Sequence, residues 1–409
     1  MRVKSLLASV LATIVVVGGV PGSALAGADS PILAFYYPWY SPAQFDRSQM
    51  WDVPVSPYES DSRATIERQV KAARDAGITG FISSWMGIGN RTDKNFATLL
   101  DVSKGTGFAS AIYLETGAPG LGSEQEIVAA LRYVEATYGS NPGFARVGGK
   151  PAIFFWNASA AGGLGFWRSV RSQVDPNTQW HWNVETDRPD QWLDVFDGVH
   201  LFSAASWTGD PTSIYQGLKT KVDAAATRTG QPKVWAAGVA PGWDNSRQGA
   251  SARVVVNREN GNYYARRWEA ALSSDPGLVT VSSWNEWGEG SEIEPGASYG
   301  NLYLGITGEY SSIYRQGAQA AEAVPSAPRF NMGFKGTADQ IPYIVGQPLE
   351  DEHYQPNGDS AQGTTQGLMV WRKADNWTAF TTGSRTWVNG VNGVQERGND
   401  ERFPWEAPQ

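Results

Sequence analysis

The chain has 409 residues, no cysteine, and 41 Asp and Glu against 33 Lys and Arg, a formal net charge of -8. The lack of cysteine excludes disulfides, thiol catalysis and a lipid-anchored N-terminal cysteine, and the lack of a basic run argues against nucleic acid or an anionic membrane as partner. Aromatic side chains make up 12% of the chain, with 18 Trp and 16 Tyr, and such flat apolar rings suit the faces of sugars.

Arg2 and Lys4, an apolar run over residues 6–17 and the small-residue site Ala24-Leu25-Ala26 have the three-part pattern of an export signal, residues 1–26. The expectation is a secreted protein whose mature chain starts near Gly27. The apolar run is too short to span a membrane, and no later stretch approaches the roughly 20 apolar residues a span requires, so no membrane insertion is expected.

From residue 32 onward short apolar runs alternate with amphipathic ones, the rhythm of repeated β-α units. Strands are predicted over residues 32–37, 80–85, 110–115, 152–156, 180–184, 198–202, 233–238 and 279–284. Eight is the count that closes a (β/α)8 TIM barrel, although a doubly wound open sheet produces the same alternation. Helices are predicted over residues 62–76, 95–102, 124–137, 166–174, 213–226 and 263–272. In the first, Ile66, Val70 and Ala73 recur at helical spacing between a cap at Asp61 or Ser62 and a stop at Gly77. Residues 187–195 are too few to read as a helix.

The composition breaks at residues 323–328, Ala-Val-Pro-Ser-Ala-Pro, which read as a linker closing a catalytic domain of residues 27–322. Residues 329–409 then carry short β-prone runs at 340–346, 367–372, 376–381 and 386–388, with Trp371, Trp377 and Trp387 at intervals. They predict a small β-rich module that either contacts a cell wall or glycan or packs on the barrel to stabilise it.

Barrels of this kind react at the C-terminal ends of their strands. The eighth predicted strand runs into Trp284-Asn285-Glu286-Trp287-Gly288-Glu289-Gly290, with Glu292 and Glu294 just beyond, and nowhere else are so many carboxylates set beside glycine and tryptophan. Glycoside hydrolysis needs one carboxyl to protonate the leaving oxygen and a second to manage the developing positive charge, and enzymes that retain configuration hold the two about 5 Å apart. Glu286 and Glu289, three residues apart in one turn, can meet that spacing. Their crowding would leave one of them protonated near neutrality. This chemistry calls for no cofactor and no metal.

Other chemistries fit less well. The three histidines, His181, His200 and His353, lack the spacing of a zinc hydrolase, and His200 reads as a satisfied barrel histidine. Gly296-Ala297-Ser298-Tyr299-Gly300 matches an esterase elbow in letters only, because Pro295 and an acidic stretch precede it in place of an apolar strand. No glycine-rich phosphate loop follows a strand.

Several segments together resemble glycoside hydrolase family 99, the endo-α-mannosidases and endo-α-mannanases: Tyr36-Tyr37-Pro38-Trp39-Tyr40, residues 77–85 ending in Trp85, Ile112-Tyr113-Leu114-Glu115, Gly149-Lys150-Pro151, and above all Ser283-Trp284-Asn285-Glu286-Trp287 with Glu289-Gly290 and Ile293-Glu294-Pro295. The resemblance implies a (β/α)8 barrel acting on a polysaccharide or oligosaccharide. It assigns Glu286 as base toward the sugar's own 2-hydroxyl and Glu289 as general acid, by way of a 1,2-anhydro sugar and with retention. It further places Tyr37, Trp39, Trp85, Tyr113, Glu115 and Asn285 in the pocket. The alternatives are hydrolysis of another α-linked extracellular polysaccharide, and non-catalytic glycan binding.

Overall fold

The structure is a computed structural model that describes residues 31–207, 209–249, 253–316, 328–330, 332–355 and 357–406. The expected export signal, residues 1–26, lies outside the described residues, as does the expected linker except for Pro328.

Eight parallel strands form a closed barrel: β1 (Ile32–Tyr36), β2 (Gly80–Trp85), β3 (Ala111–Glu115), β4 (Lys150–Trp156), β5 (His181–Glu185), β6 (Gly198–His200), β7 (Val234–Val239) and β8 (Leu278–Val281). Each pairs with its neighbour, β8 pairs with β1, and the register of β3 on β4, from Ile112 opposite Ile153 to Glu115 opposite Trp156, leaves no open edge. The open-sheet alternative is thereby excluded. All eight strands fall where the hydrophobic pattern predicts them, but β8 stops at Val281, three residues short of expectation.

The helices outside the barrel are α1 (Arg63–Asp75), α2 (Arg91–Ser103), α3 (Glu124–Tyr138), α4 (Leu164–Val174), α5 (Thr212–Thr229), α6 (Asn262–Ser273) and α7 (Leu302–Arg315). Local chemistry sets their ends: Ser62 accepts the Thr65 N–H at the start of α1, and Ser123 with Glu126 forms a reciprocal cap at the start of α3. After β5 there is a single turn, Pro189–Trp192, and α7 is a helix that the sequence reading did not contain.

Side chains alternate along each strand, so one set faces the helices and the other the barrel axis. On β1, Ile32, Ala34 and Tyr36 join the outer core, whereas Leu33, Phe35 and Tyr37 fill the inside. The upper interior is aromatic, with Phe35, Tyr113, Phe154 and Phe202 packed around the strands' C-terminal half. His200 sits among them, fully buried; its Nδ1 donates to Asn183 Oδ1 at 2.7 Å and its Nε2 accepts from the Tyr113 hydroxyl at 3.1 Å. Burial pushes its pKa down to about 3, so it is a neutral structural histidine, in keeping with the sequence reading.

The C-terminal module is a six-stranded antiparallel meander: β9 (His353–Tyr354), β10 (Ser360–Thr364), β11 (Gly367–Arg372), β12 (Trp377–Thr381), β13 (Arg385–Gly390) and β14 (Gly393–Gly398). Two helices, α8 (Met332–Gln340) and α9 (Pro342–Val345), cover one face, and Phe334, Ala338, Val345, Met369 and Phe380 form a core of their own. The strand predicted over residues 340–346 is therefore helical. Ile341, Ile344 and Val345 repeat at helical as well as strand spacing, and Pro342 takes the first helical position, where its missing N–H costs nothing.

Candidate active site

The loop that carries Glu286 and Glu289 begins where β8 ends. Residues 282–294 turn back on themselves: Ser283 N–H donates to Ser291 O at 2.7 Å, Ile293 N–H to Ser283 O at 2.9 Å and Glu294 N–H to Trp284 O at 2.8 Å. Within this frame Glu286 precedes a single 3-10 turn, Trp287–Glu289, whose tight winding brings positions three apart onto one side. Gly290 closes the turn with φ of 58°, and a Cβ there would meet the Asp244 backbone at 3.0 Å, so glycine is required twice over. Glu286 and Glu289 are half-buried residues, while their neighbours in the loop are buried.

Glu286 is held at two points: its N–H donates to Ser283 Oγ at 2.7 Å, and its Oε1 accepts from the Tyr40 hydroxyl at 3.1 Å. Glu289 differs, because its buried Oε2 has no hydrogen-bond partner. Glu115, at the end of β3, accepts from Ser84 Oγ at 2.7 Å, and Glu185, at the end of β5, accepts from Ser203 N–H at 3.0 Å. Burial raises the pKa of each of the last two to about 7. Burial, then the charges of Glu115 and Glu185, raise Glu289 to about 8.

Glu286 is also pushed well above the usual carboxylate range, by burial first and the Glu289 charge second, against the lowering pull of the Tyr40 hydrogen bond. Two such coupled carboxyls hold one proton between them near neutrality. Burial pushes both groups up, and the hydrogen-bond donors distinguish them. Tyr40 supports a negative Glu286, whereas Glu289 has an unsatisfied oxygen and two acidic neighbours, so the hydrogen bonds place the proton on Glu289.

Aromatic rings wall the same mouth. Tyr37 packs against Trp39 at 4.8 Å, and Phe202 lies edge-on to Trp156 at 5.7 Å and to Trp243 at 6.3 Å. Carboxyls that can donate or accept a proton, set among aromatic rings at the C-terminal end of the barrel, are equipment for cleaving a glycosidic bond. The profile of glycosyl hydrolase family 99 matches residues 55–304.

The chain belongs to glycoside hydrolase family 99. It is a glycosidase, similar to the glycoprotein endo-α-1,2-mannosidase of Mus musculus, with 25% identity over 339 residues, covering 69% of this chain and 72% of that protein. The endo-α-1,2-mannosidase-like protein of Homo sapiens is 25% identical over 344 residues, covering 70% and 73%. Among solved structures, the family 99 endo-α-mannosidase of Bacteroides thetaiotaomicron in complex with bis-tris propane shares the fold at a TM-score of 0.61 and 22% identity, covering 72% of this chain and 99% of that one.

The residues expected in the pocket separate into three groups. Tyr37, Trp39 and Glu115 stand beside Glu286 and Glu289 at the mouth. Tyr113 lies one layer down, 1% exposed, with its hydroxyl committed to His200. Trp85 and Asn285 are corrections. Trp85 has the parity of Phe81 on β2, faces the helices, is fully buried and donates its indole N–H to Asp93 at 2.9 Å. Asn285 is also fully buried: its Oδ1 accepts the Tyr37 N–H at 2.8 Å and its Nδ2 donates to Tyr37 O at 3.0 Å and Tyr58 Oη at 3.1 Å. It braces the end of β1 against the catalytic loop and has no donor left for a sugar.

Tyr40 and Glu185 were missed as site residues although both stand in strand-end segments of the sequence; only the assembled barrel turns them toward the carboxyl pair. Ser298 of the esterase-like pattern binds Asp52 through both its N–H and its hydroxyl, the latter at 2.9 Å, which makes it a loop anchor. A cavity of about 1560 Å³ opens among Leu33, Ala109, His181 and Val234 at the opposite, N-terminal end of the barrel, the end at which such folds keep stabilising residues.

Proposed function

We propose that this glycosidase is a secreted, endo-acting enzyme that cleaves α-mannosidic linkages in mannan or mannose-containing glycans with retention of configuration. The observation that carries the reading is the pairing of Glu286, hydrogen-bonded by Tyr40, with Glu289, whose free oxygen faces further carboxylates. The mannosidase activities named for its relatives supply the sugar. The expected export signal supports secretion.

Glu286 as carboxylate takes the proton of the sugar's 2-hydroxyl while O2 attacks C1 from the face opposite the leaving group. The C1–O bond breaks, and Glu289 gives its proton to the departing oxygen. In an α-mannoside O2 lies trans to that oxygen and can attack; in an α-glucoside it is cis and cannot. Water then adds to C1 of the 1,2-anhydro sugar, giving its proton to Glu289 as Glu286 returns the other to O2, so two inversions leave the starting anomer. The C-terminal module is proposed to contact glycan or wall, supported by Trp377, Phe403 and Trp405, which cluster on its sheet face away from α8.

The deciding experiment incubates the protein with α-mannans and α-glucans and follows product size and anomer by NMR. Short α-mannoside products released first as the α-anomer are expected. Glu286→Gln and Glu289→Gln should each lower the rate by roughly three orders of magnitude or more without loss of fold. Full activity in either variant, or release of β-anomer, overturns the mechanism.

A further inference from the structure

Between β7 and α6 the chain leaves the barrel as a hairpin, with Trp243–Asp244 paired antiparallel to Val255–Val256, and its arm reaches over the catalytic loop. Arg247 ties that arm to the segment after β1: its Nη1 donates to the backbone oxygens of Arg47 and Met50, the latter at 3.1 Å, and its guanidinium lies 4.6 Å from the Trp51 ring centroid. The next residue, Gln248, has its own N–H on Asn245 O at 3.1 Å. The backbone leading into Gln248 is thus tied down.

That side chain lies across Gly288, the residue between the two catalytic glutamates. A Cβ built on Gly288 would stand 1.8 Å from Gln248 Nε2 and 3.5 Å from Glu286 Oε1. The carboxamide therefore fills the space that any side chain at position 288 would take, beside the reacting centre. Gly288 has no left-handed φ that would demand glycine, so its backbone does not explain the missing side chain; the close approach of Gln248 does. Among the described residues the Gln248 side chain makes no hydrogen bond, while its amide offers donors and an acceptor on one rigid plane, a fit for adjacent sugar hydroxyls.

We infer that Gln248 is a substrate-contacting residue beside the glutamate pair, whose carboxamide binds hydroxyl groups of the sugar at the cleaved bond. This rests on the reading of Glu286 and Glu289 as the catalytic pair. Because Gly288 and Gln248 share one space, they act as a unit, and a methyl group at 288 should expel the amide as surely as deleting it.

The test is a double-substitution cycle of Gln248→Ala and Gly288→Ala, measured on whichever glycan the wild-type protein hydrolyses in the panel above. Each single variant is expected to lose about 10-fold in kcat/KM, carried mainly by KM, with an unchanged melting temperature. The double variant should lose no more than either single one, since both remove the same contact. Wild-type kcat/KM in Gln248→Ala, or losses that multiply in the double variant, overturns the inference. If the wild-type protein cleaves another glycan of the panel and no α-mannoside, the proposed specificity fails on its own while the cycle on that glycan still decides the role of Gln248.

Discussion

The Tyr40 hydroxyl stands between the two ends of the catalytic machinery, donating to Glu286 Oε1 at 3.1 Å while accepting the Trp287 N–H at 3.2 Å. A residue from the loop after β1 thereby sets both the charge and the direction of a carboxylate that follows β8. Tyr40→Phe keeps the ring and removes the donor, so it should lower kcat by about 10- to 100-fold. A hydrogen bond to the charged form lowers a carboxyl pKa, and its loss raises it. Because the proposed mechanism needs Glu286 ionised, the acid limb of the pH–rate profile should move to higher pH. An unchanged acid limb would separate Tyr40 from Glu286.

In the proposed mechanism Glu289 begins protonated, and its pKa of about 8 puts the loss of activity on the alkaline side of neutrality. Glu185 contributes to that value by charge. Glu185→Gln removes a negative neighbour, lowers the Glu289 pKa and makes the proton leave sooner. The alkaline limb should therefore shift toward lower pH, by up to about one unit. A kcat–pH series on the variant checks it, and a limb that moves to higher pH contradicts it.

Trp85 and Trp39 test the two faces of the strands. Trp85→Ala opens a hole in the outer core and leaves Asp93 without its indole donor, which should cost about 3–5 kcal/mol of stability with kcat of the folded fraction unaltered. Trp39→Ala at the cleft should do the reverse, raising KM by about 10-fold with little change in unfolding midpoint. Urea unfolding and steady-state kinetics on the same preparations discriminate between them.

Asn285 supplies three buried hydrogen bonds, two of them to the backbone of Tyr37. Asn285→Ala strands a buried N–H and C=O, at a cost of about 2–4 kcal/mol. It should also depress kcat without raising KM, because the loop loses its reference to β1 while the sugar loses no contact. A rise in KM at unchanged kcat would return Asn285 to the sugar-binding set.

Much of this was legible in the residue order. Apolar runs at strand length with helical stretches between them specify eight β-α units, because each element must bury one face and local periodicity records which residues do so. Glu286 and Glu289 also declared themselves, three residues apart after the last apolar run. Strand parity is local as well, but whether Trp85 or Ser84 faces the axis depends on the register with which β2 meets β1 and β3, and that is decided on closure. Asn285 read as a sugar ligand until its amide was found to satisfy Tyr37, from which it is separated by 248 residues. Gln248 reaches Gly288 from another loop, and the raised pKa values of Glu115, Glu185 and Glu289 arise only when burial and neighbouring charge act together. Sequence fixes what each segment prefers by itself; contact order, burial and shared charge are properties of segments brought together, and those the tertiary structure alone decides.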